Sequence, residues 1–173
     1  MSRAALTALL TALCAWLAGC ASDPRMGYAL AASHDAGLGP IAVELFDNQT
    51  FAHGLEAELT RAIAQELTRS TPWAVAPRER ARTVLSGAVT SARLRLLSTA
   101  PTSGLPQEQA LEIAVDFALR DARTGRVILS RRNFRAAGGF IPVQGAGERI
   151  DIAQAGAVDR LARDIVAALR SDW

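Results

Sequence analysis

The stretch Leu111-Glu112-Ile113-Ala114-Val115-Asp116-Phe117-Ala118-Leu119-Arg120 decides how this chain folds. Large apolar side chains stand at 111, 113, 115, 117 and 119, with charged or small ones between them. Successive side chains of a strand point to opposite faces, so a period of two describes a strand with one face buried and the other wet. A helix would scatter the same apolar residues around its whole circumference. Asp121 to Gly125 follows with turn-forming Asp, Thr and Gly, and Arg126 to Ala136 reads as the returning strand of a long hairpin.

Upstream, Thr83 to Leu97 is also strand-like, but its alternation changes phase. Leu85 and Val89 are odd-numbered, whereas Leu94 and Leu96 are even-numbered. A bulge or bend near Ala92 would reconcile the two halves. Ser98 to Pro106 reads as a loop. Nearer the start, Ile41 to Phe46 forms a first strand ending at Asp47-Asn48. Asn48-Gln49-Thr50 fits a glycosylation sequon, and it is read here as turning the chain and capping a helix.

Two segments carry the helical period. Leu55, Leu59, Ala62, Ile63, Ala64 and Leu67 gather on one face of a helix predicted over about Phe51 to Ser70. Glu56, Glu58, Arg61 and Arg69 lie on its other side. Thr71-Pro72 stops this helix, Trp73 to Ala76 reads as a short strand, and Pro77 to Arg82 as a basic turn. Val158, Leu161, Ala162, Ile165, Val166 and Leu169 define a second helix over about Asp151 to Ser171, behind a Gly-rich loop from Ala137 to Arg149. The order β-α-β-β-β-β-α predicts an α+β fold. It is a two-layer sandwich, with two amphipathic helices packed on one face of a mixed, mostly antiparallel β-sheet of about four or five strands.

The N-terminus has a different character. Arg3 is followed by an apolar or small-residue run from Ala4 to Trp16, and Leu17-Ala18-Gly19-Cys20 closes it. A positive start, a short apolar run and small residues before a cut are the layout of a secretory signal. The tetrapeptide resembles the bacterial lipobox, in which the cysteine sulfur receives a diacylglycerol and the chain is cut before it. We therefore expect residues 1–19 to be a lipoprotein signal peptide, Cys20 to be lipidated, residues 20–39 to be an acylated tether, and residues 40–173 to form the α+β domain. Cys14 would leave with the signal, so the remaining chain could form no internal disulfide. Ala21, rather than Asp, follows the cysteine, and in familiar lipoproteins this favours the outer membrane with the domain facing the periplasm.

Chemistry is sparse in the remainder. His34 and His53 are the only histidines, and no Cys/His cluster offers the three or four ligands of a zinc site. His53 reads as a capping or surface residue, and Asp116 and Asp121 as solvated carboxylates rather than an acid-base pair. No metal, cofactor or catalytic arrangement is expected. A formal charge of +2, with no basic run interleaved by aromatics, argues against a nucleic-acid partner. The remaining feature is a group of arginines: Arg93 and Arg95 near the bend, and Arg131, Arg132 and Arg135 on the last strand. Guanidinium forks bind phosphate in a bidentate manner, so these five are candidates for an anionic lipid headgroup.

Several of these pieces together resemble the lipopolysaccharide-assembly lipoproteins, the LptE-like family. They are Cys20, Gly27-Tyr28-x-Leu30, Ile41-Ala42-Val43 through Phe46-Asp47-Asn48-Gln49-Thr50-Phe51, Gly54-Leu55, Leu85-x-Gly87-x-Val89, and Asp121-x-x-Thr124-Gly125-x-Val127. Gly27-Tyr28 begins seven positions beyond Cys20, because 27 − 20 = 7, whereas many members place it directly after the cysteine. The resemblance implies a non-enzymatic subunit that sits in or against a large outer-membrane β-barrel, helps it assemble and contacts lipopolysaccharide. The first strand, its Phe-Asp-Asn-Gln-Thr turn and the helix also look like lipoproteins that regulate peptidoglycan synthases or form part of a secretion complex.

Overall fold

The computed structural model describes residues 38–99, 101, 106–141 and 150–171, all within the compact unit His34–Trp173. In chain order the elements are β1 (Ile41–Val43), β2 (Asp47–Asn48), α1 (Leu55–Ser70), a 3-10 turn (Arg78–Arg80), β3 (Thr83–Thr99), β4 (Pro106–Asp121), β5 (Val127–Phe140) and α2 (Ile150–Ser171). The sheet order is β1-β3-β4-β5, with β2 also alongside β3. β1 and β2 run parallel to β3, and β3-β4-β5 is an antiparallel meander. Parallel neighbours need a crossover, which α1 supplies. The α+β fold with two helices on a mixed five-stranded sheet is the expected one.

The alternating stretch behaves as its period requires. Ile113, Val115, Phe117 and Leu119 are buried beneath the helices, with Leu111 beside them. Glu112, Asp116, Ala118 and Arg120 turn to the other face. Leu55, Leu59, Ile63 and Leu67 of α1 are fully buried at four-residue intervals. On α2, Leu161, Ile165, Val166 and Leu169 complete the core. Each such side chain contributes about 1.5–3 kcal/mol through burial.

Two glycines make the packing possible. A Cβ on Gly138 of β5 would lie 2.0 Å from the Ala153 carbonyl oxygen and 2.8 Å from the Ala157 nitrogen, so the backbone of α2 crosses directly over that residue. A Cβ on Gly87 of β3 would lie 2.5 Å from the ring of Phe46, which is itself buried. The glycines after Ala136 therefore extend a strand rather than begin a loop: β5 continues to Phe140, and α2 docks on the extension.

Other boundaries move for local reasons. The first strand stops at Val43, the expected turn Asp47-Asn48 is itself the short strand β2, and Trp73 to Ala76 contributes a bridge, Ile41 with Val75. α1 starts at Leu55 rather than Phe51. Its N-cap is Gly54, at φ 82°, with no side-chain cap, so neither Asn48 nor His53 caps it. Asn48 instead clamps the preceding loop. Its amide donates to the Ala52 carbonyl and the Glu56 carboxylate, both at 2.7 Å, and its carbonyl oxygen accepts from the Thr50 N–H at 2.9 Å. The end of α1 is as expected, with the Thr71 N–H and hydroxyl both donating to the Leu67 carbonyl. The bulge in β3 falls at Thr90, between Val89 and Ser91. β3 runs on to Thr99 and β4 begins at Pro106, which shortens the expected loop from both sides.

Cys20 and the expected signal and tether through residue 37 lie outside the described residues, as do residues 142–149 of the expected Gly-rich loop.

Candidate functional site: the basic outer face of the sheet

The helices cover one face of the sheet, and the arginines occupy the other face and its margins. Arg93 stands directly across from Glu112 in the β3–β4 register, and Arg95 is paired with Ala110. From the other side, Arg135 is paired with Ala114. This lattice brings all three guanidinium groups around one carboxylate. Arg95 Nη1 donates to Glu112 Oε2 at 2.9 Å, and Arg135 Nη1 to Oε1 at 3.3 Å. Arg135 Nε also donates to Asn133 Oδ1 at 2.8 Å, which fixes the fork. The Arg95 hydrogen bond, reinforced by the positive charges of Arg95, Arg135 and Arg93, holds the Glu112 carboxyl below its ordinary pKa.

Arg131 and Arg132 do not join this cluster. Between Val115 and Phe117 the β4–β5 register shifts, from Phe134 to Arg131, so Arg132 and Asn133 together face Asp116. Asn133 takes a left-handed conformation, φ 53°. Asn tolerates this better than most residues. Its N–H donates to Asp116 Oδ1 at 2.7 Å. Asp116, which reads in the sequence as a solvated surface carboxylate, thus holds the bulge that separates Arg135 from Arg131 and Arg132. An Asn preceded by paired arginines was the available signal, but nothing in the alternation marks the missing pair.

Arg131 and Arg132 line an open groove of about 520 Å³. Glu44, Asp47 and Asp116 line the same groove, together with Arg120. Glu44 is ion-paired with Arg78. The groove is thus mixed in charge, whereas three arginines share a single carboxylate at Glu112. Of the two, the Glu112 cluster is better suited to phosphate, because it sets three arginines against one carboxylate, whereas the groove lining balances Arg120, Arg131 and Arg132 against Glu44, Asp47 and Asp116.

Asp121 belongs to the hairpin turn. Its Oδ1 accepts from the Thr124 N–H at 2.7 Å, the Thr124 hydroxyl at 2.8 Å and the Arg123 N–H at 3.1 Å. The Thr124 backbone and hydroxyl bonds hold its carboxyl below the ordinary value. Among the described residues no group of three His, Cys, Asp or Glu side chains could hold a metal ion. No described helix is long and apolar enough to cross a membrane.

Fold and outer face together define a two-layer α+β domain whose sheet presents arginine forks to its surroundings. Solved structures share this architecture. A minor lipoprotein from Acinetobacter baumannii aligns with TM-score 0.54 at 19% identity, over 79% of this chain and 95% of its own. The hypothetical protein CT253 from Chlamydia trachomatis aligns with TM-score 0.52 at 14% identity, over 76% and 95%. An uncharacterized lipoprotein B from Nitrosomonas europaea aligns with TM-score 0.51 at 16% identity, over 78% and 86%. At these identities the likeness is one of fold alone. No curated protein matches the sequence. A family model does: the lipopolysaccharide-assembly family, LptE, matches residues 38–169, and the chain belongs to that family.

Proposed function

We propose that this protein is a non-catalytic outer-membrane lipoprotein that assists assembly of a large β-barrel translocon and delivery of lipopolysaccharide to the outer leaflet. Lipid on Cys20 anchors it, and its domain faces the periplasm. The observation that carries this reading is the family match across residues 38–169. The lipobox-like Leu17-Ala18-Gly19-Cys20 supports the anchor. More than one acyl chain is needed for stable attachment, which a lipidated and N-acylated cysteine would supply.

In this reading Arg93, Arg95 and Arg135 contact the phosphates of lipopolysaccharide, with Arg131 and Arg132 as a weaker second contact. The test is a pull-down of the full-length protein from detergent-solubilised membranes. An unusually large barrel protein recovered together with lipopolysaccharide is the expected result. Recovery of a peptidoglycan synthase, or of a homo-oligomer alone, sinks the reading. Within the same preparation, Arg95→Gln with Arg135→Gln weakens lipopolysaccharide binding about tenfold, the scale of one charge-assisted hydrogen bond. Arg131→Gln with Arg132→Gln has the smaller effect. The reverse order would transfer the site to the groove.

A further inference from the structure

β3 has two edges, and among the described residues one of them is only half used. On the β4 side it is paired from Thr83 to Thr99. On the other side β1 covers Thr83 to Leu85 and β2 covers Ala88 and Val89. The last hydrogen bond on that side runs from the Gln49 N–H to the Val89 carbonyl at 2.9 Å. From Thr90 to Thr99 no described strand lies against this edge. At ~3.4 Å per residue, about 30 Å of main chain has no described strand beside it.

The polarity of that edge follows from the register. The Leu85 and Val89 carbonyls accept from the β1 and β2 side, so the even-numbered residues of β3 up to Ala88 face β4. β4 passes the Thr90 bulge without an insertion of its own. Its even-numbered residues therefore keep facing β3, where they meet Ser91, Arg93 and Arg95. Ala92, Leu94 and Leu96 accordingly turn their N–H and C=O groups to the open edge.

Long exposed edges are normally blunted by proline, by lysine or by inward-pointing charge. Thr90 to Thr99 contains no proline or lysine. Its two charged side chains lie on the outer face, and Arg95 is drawn to Glu112 on the β4 side. Apolar groups accompany the edge instead. Leu94, Leu96 and Leu97 are each more than half exposed, and Phe51, just beyond the residues that hold β2 against β3, is 99% exposed.

We propose that the outer edge of β3, from Thr90 to Thr99, is a strand-addition site for an extended segment of a partner protein with acidic side chains at alternate positions and apolar ones between them. Main-chain bonds to Ala92, Leu94 and Leu96 provide the attachment, and cross-strand pairs select the sequence. Acidic side chains opposite Arg93 and Arg95 match them in charge, and the intervening residues meet Leu94 and Leu96. A second copy of this chain is disfavoured in the registers centred on the arginines or on the leucine between them. Antiparallel self-pairing centred on Leu94 sets Arg93 against Arg95, and centring on Arg95 sets that residue against itself; like charges directly opposite destabilise a sheet. The site shares Arg93 and Arg95 with the lipopolysaccharide reading but does not rest on it, because main-chain groups define the edge.

The probe is a capped peptide of about ten residues alternating Glu and Val, added to the full-length protein in detergent micelles. It is expected to bind at least about fivefold more tightly than its Lys and Val counterpart, and to slow amide exchange at Ala92, Leu94 and Leu96. Leu94→Pro removes one outward N–H without touching the β4 ladder, so it should reduce peptide binding at least about tenfold while lipopolysaccharide binding is unchanged. Arg93→Glu should reverse the preference between the two peptides. Equal binding of both peptides, protection confined to other amides, or full binding by a folded Leu94→Pro variant would overturn the proposal. So would a dimer, or the protein's own N-terminal segment, found on this edge.

Discussion

β3 is one strand with two environments. From Thr83 to Val89 it has neighbours on both edges and helices above, and Leu85 and Val89 are completely buried. From Arg93 to Leu97 it keeps one neighbour among the described strands, and Leu94 and Leu96 are 53% and 55% exposed. Both halves alternate large apolar side chains with other residues, Leu85 and Val89 among small ones in the first and Leu94 and Leu96 beside arginines in the second. What differs is cover: α1, Phe46 and the two short parallel strands serve the first half only. Alternation therefore fixes which side of a strand a residue takes, and the neighbouring elements fix whether that side is core.

Truncations to alanine beside the buried end and at the exposed end give the sharpest contrast. Phe46→Ala opens a cavity over Gly87 at the buried end and should cost about 3–5 kcal/mol in denaturant unfolding. Leu96→Ala at the exposed end should change stability by no more than ~0.5 kcal/mol. Comparable losses from both would show that the far end of β3 is part of the core. A second contrast is between neighbouring glycines of β5. Gly138→Ala drives a methyl into the backbone of α2 and should cost about 1–3 kcal/mol. Gly139→Ala meets nothing closer than the Gln109 carbonyl oxygen at 3.8 Å and should be nearly neutral. Equal thermal shifts would remove the close helix crossing as the reason for glycine at 138.

These contrasts also mark what the residues alone reveal. The faces of β4 and of both helices are legible, because Ile113, Val115 and Phe117, or Leu59, Ile63 and Leu67, keep a strict period and are buried together. A phase change in β3 is legible for the same reason, and its extra residue is Thr90, two positions before Ala92. Gly138 is misread because mobility and close approach use the same residue, and only a helix placed over it separates them. The arginines are found, but their division is not. It depends on Asp116 and a left-handed Asn133 on opposite strands, a contact across 17 positions of sequence. The same limit hides the open edge of β3, since an unpaired edge is defined by strands that lie elsewhere.

The smallest effect compares the carboxylates at the two ends. Asp121 is paired with Thr83 at the buried end, and Glu112 with Arg93 where the strand becomes exposed. Both have lowered folded pKa values, from different causes. Asp121 is held by backbone and hydroxyl bonds from Thr124. Glu112 is held by the Arg95 bond and by surrounding positive charge. A carboxyl lowered in the folded state contributes stability above its unfolded value, about 3.9 for Asp and about 4.3 for Glu, and loses it as pH falls through the folded value. Acidification below roughly pH 4 should therefore weaken both ends. Salt should distinguish them, because it screens charge at an exposed surface more than it alters a short turn. Carboxyl-carbon NMR titrations at low and high salt should move Glu112 upward toward its ordinary value and leave Asp121 nearly in place. If both moved together, the arginine forks would not be the main influence on Glu112, and the outer face would lose its electrostatic distinction from the hairpin turn.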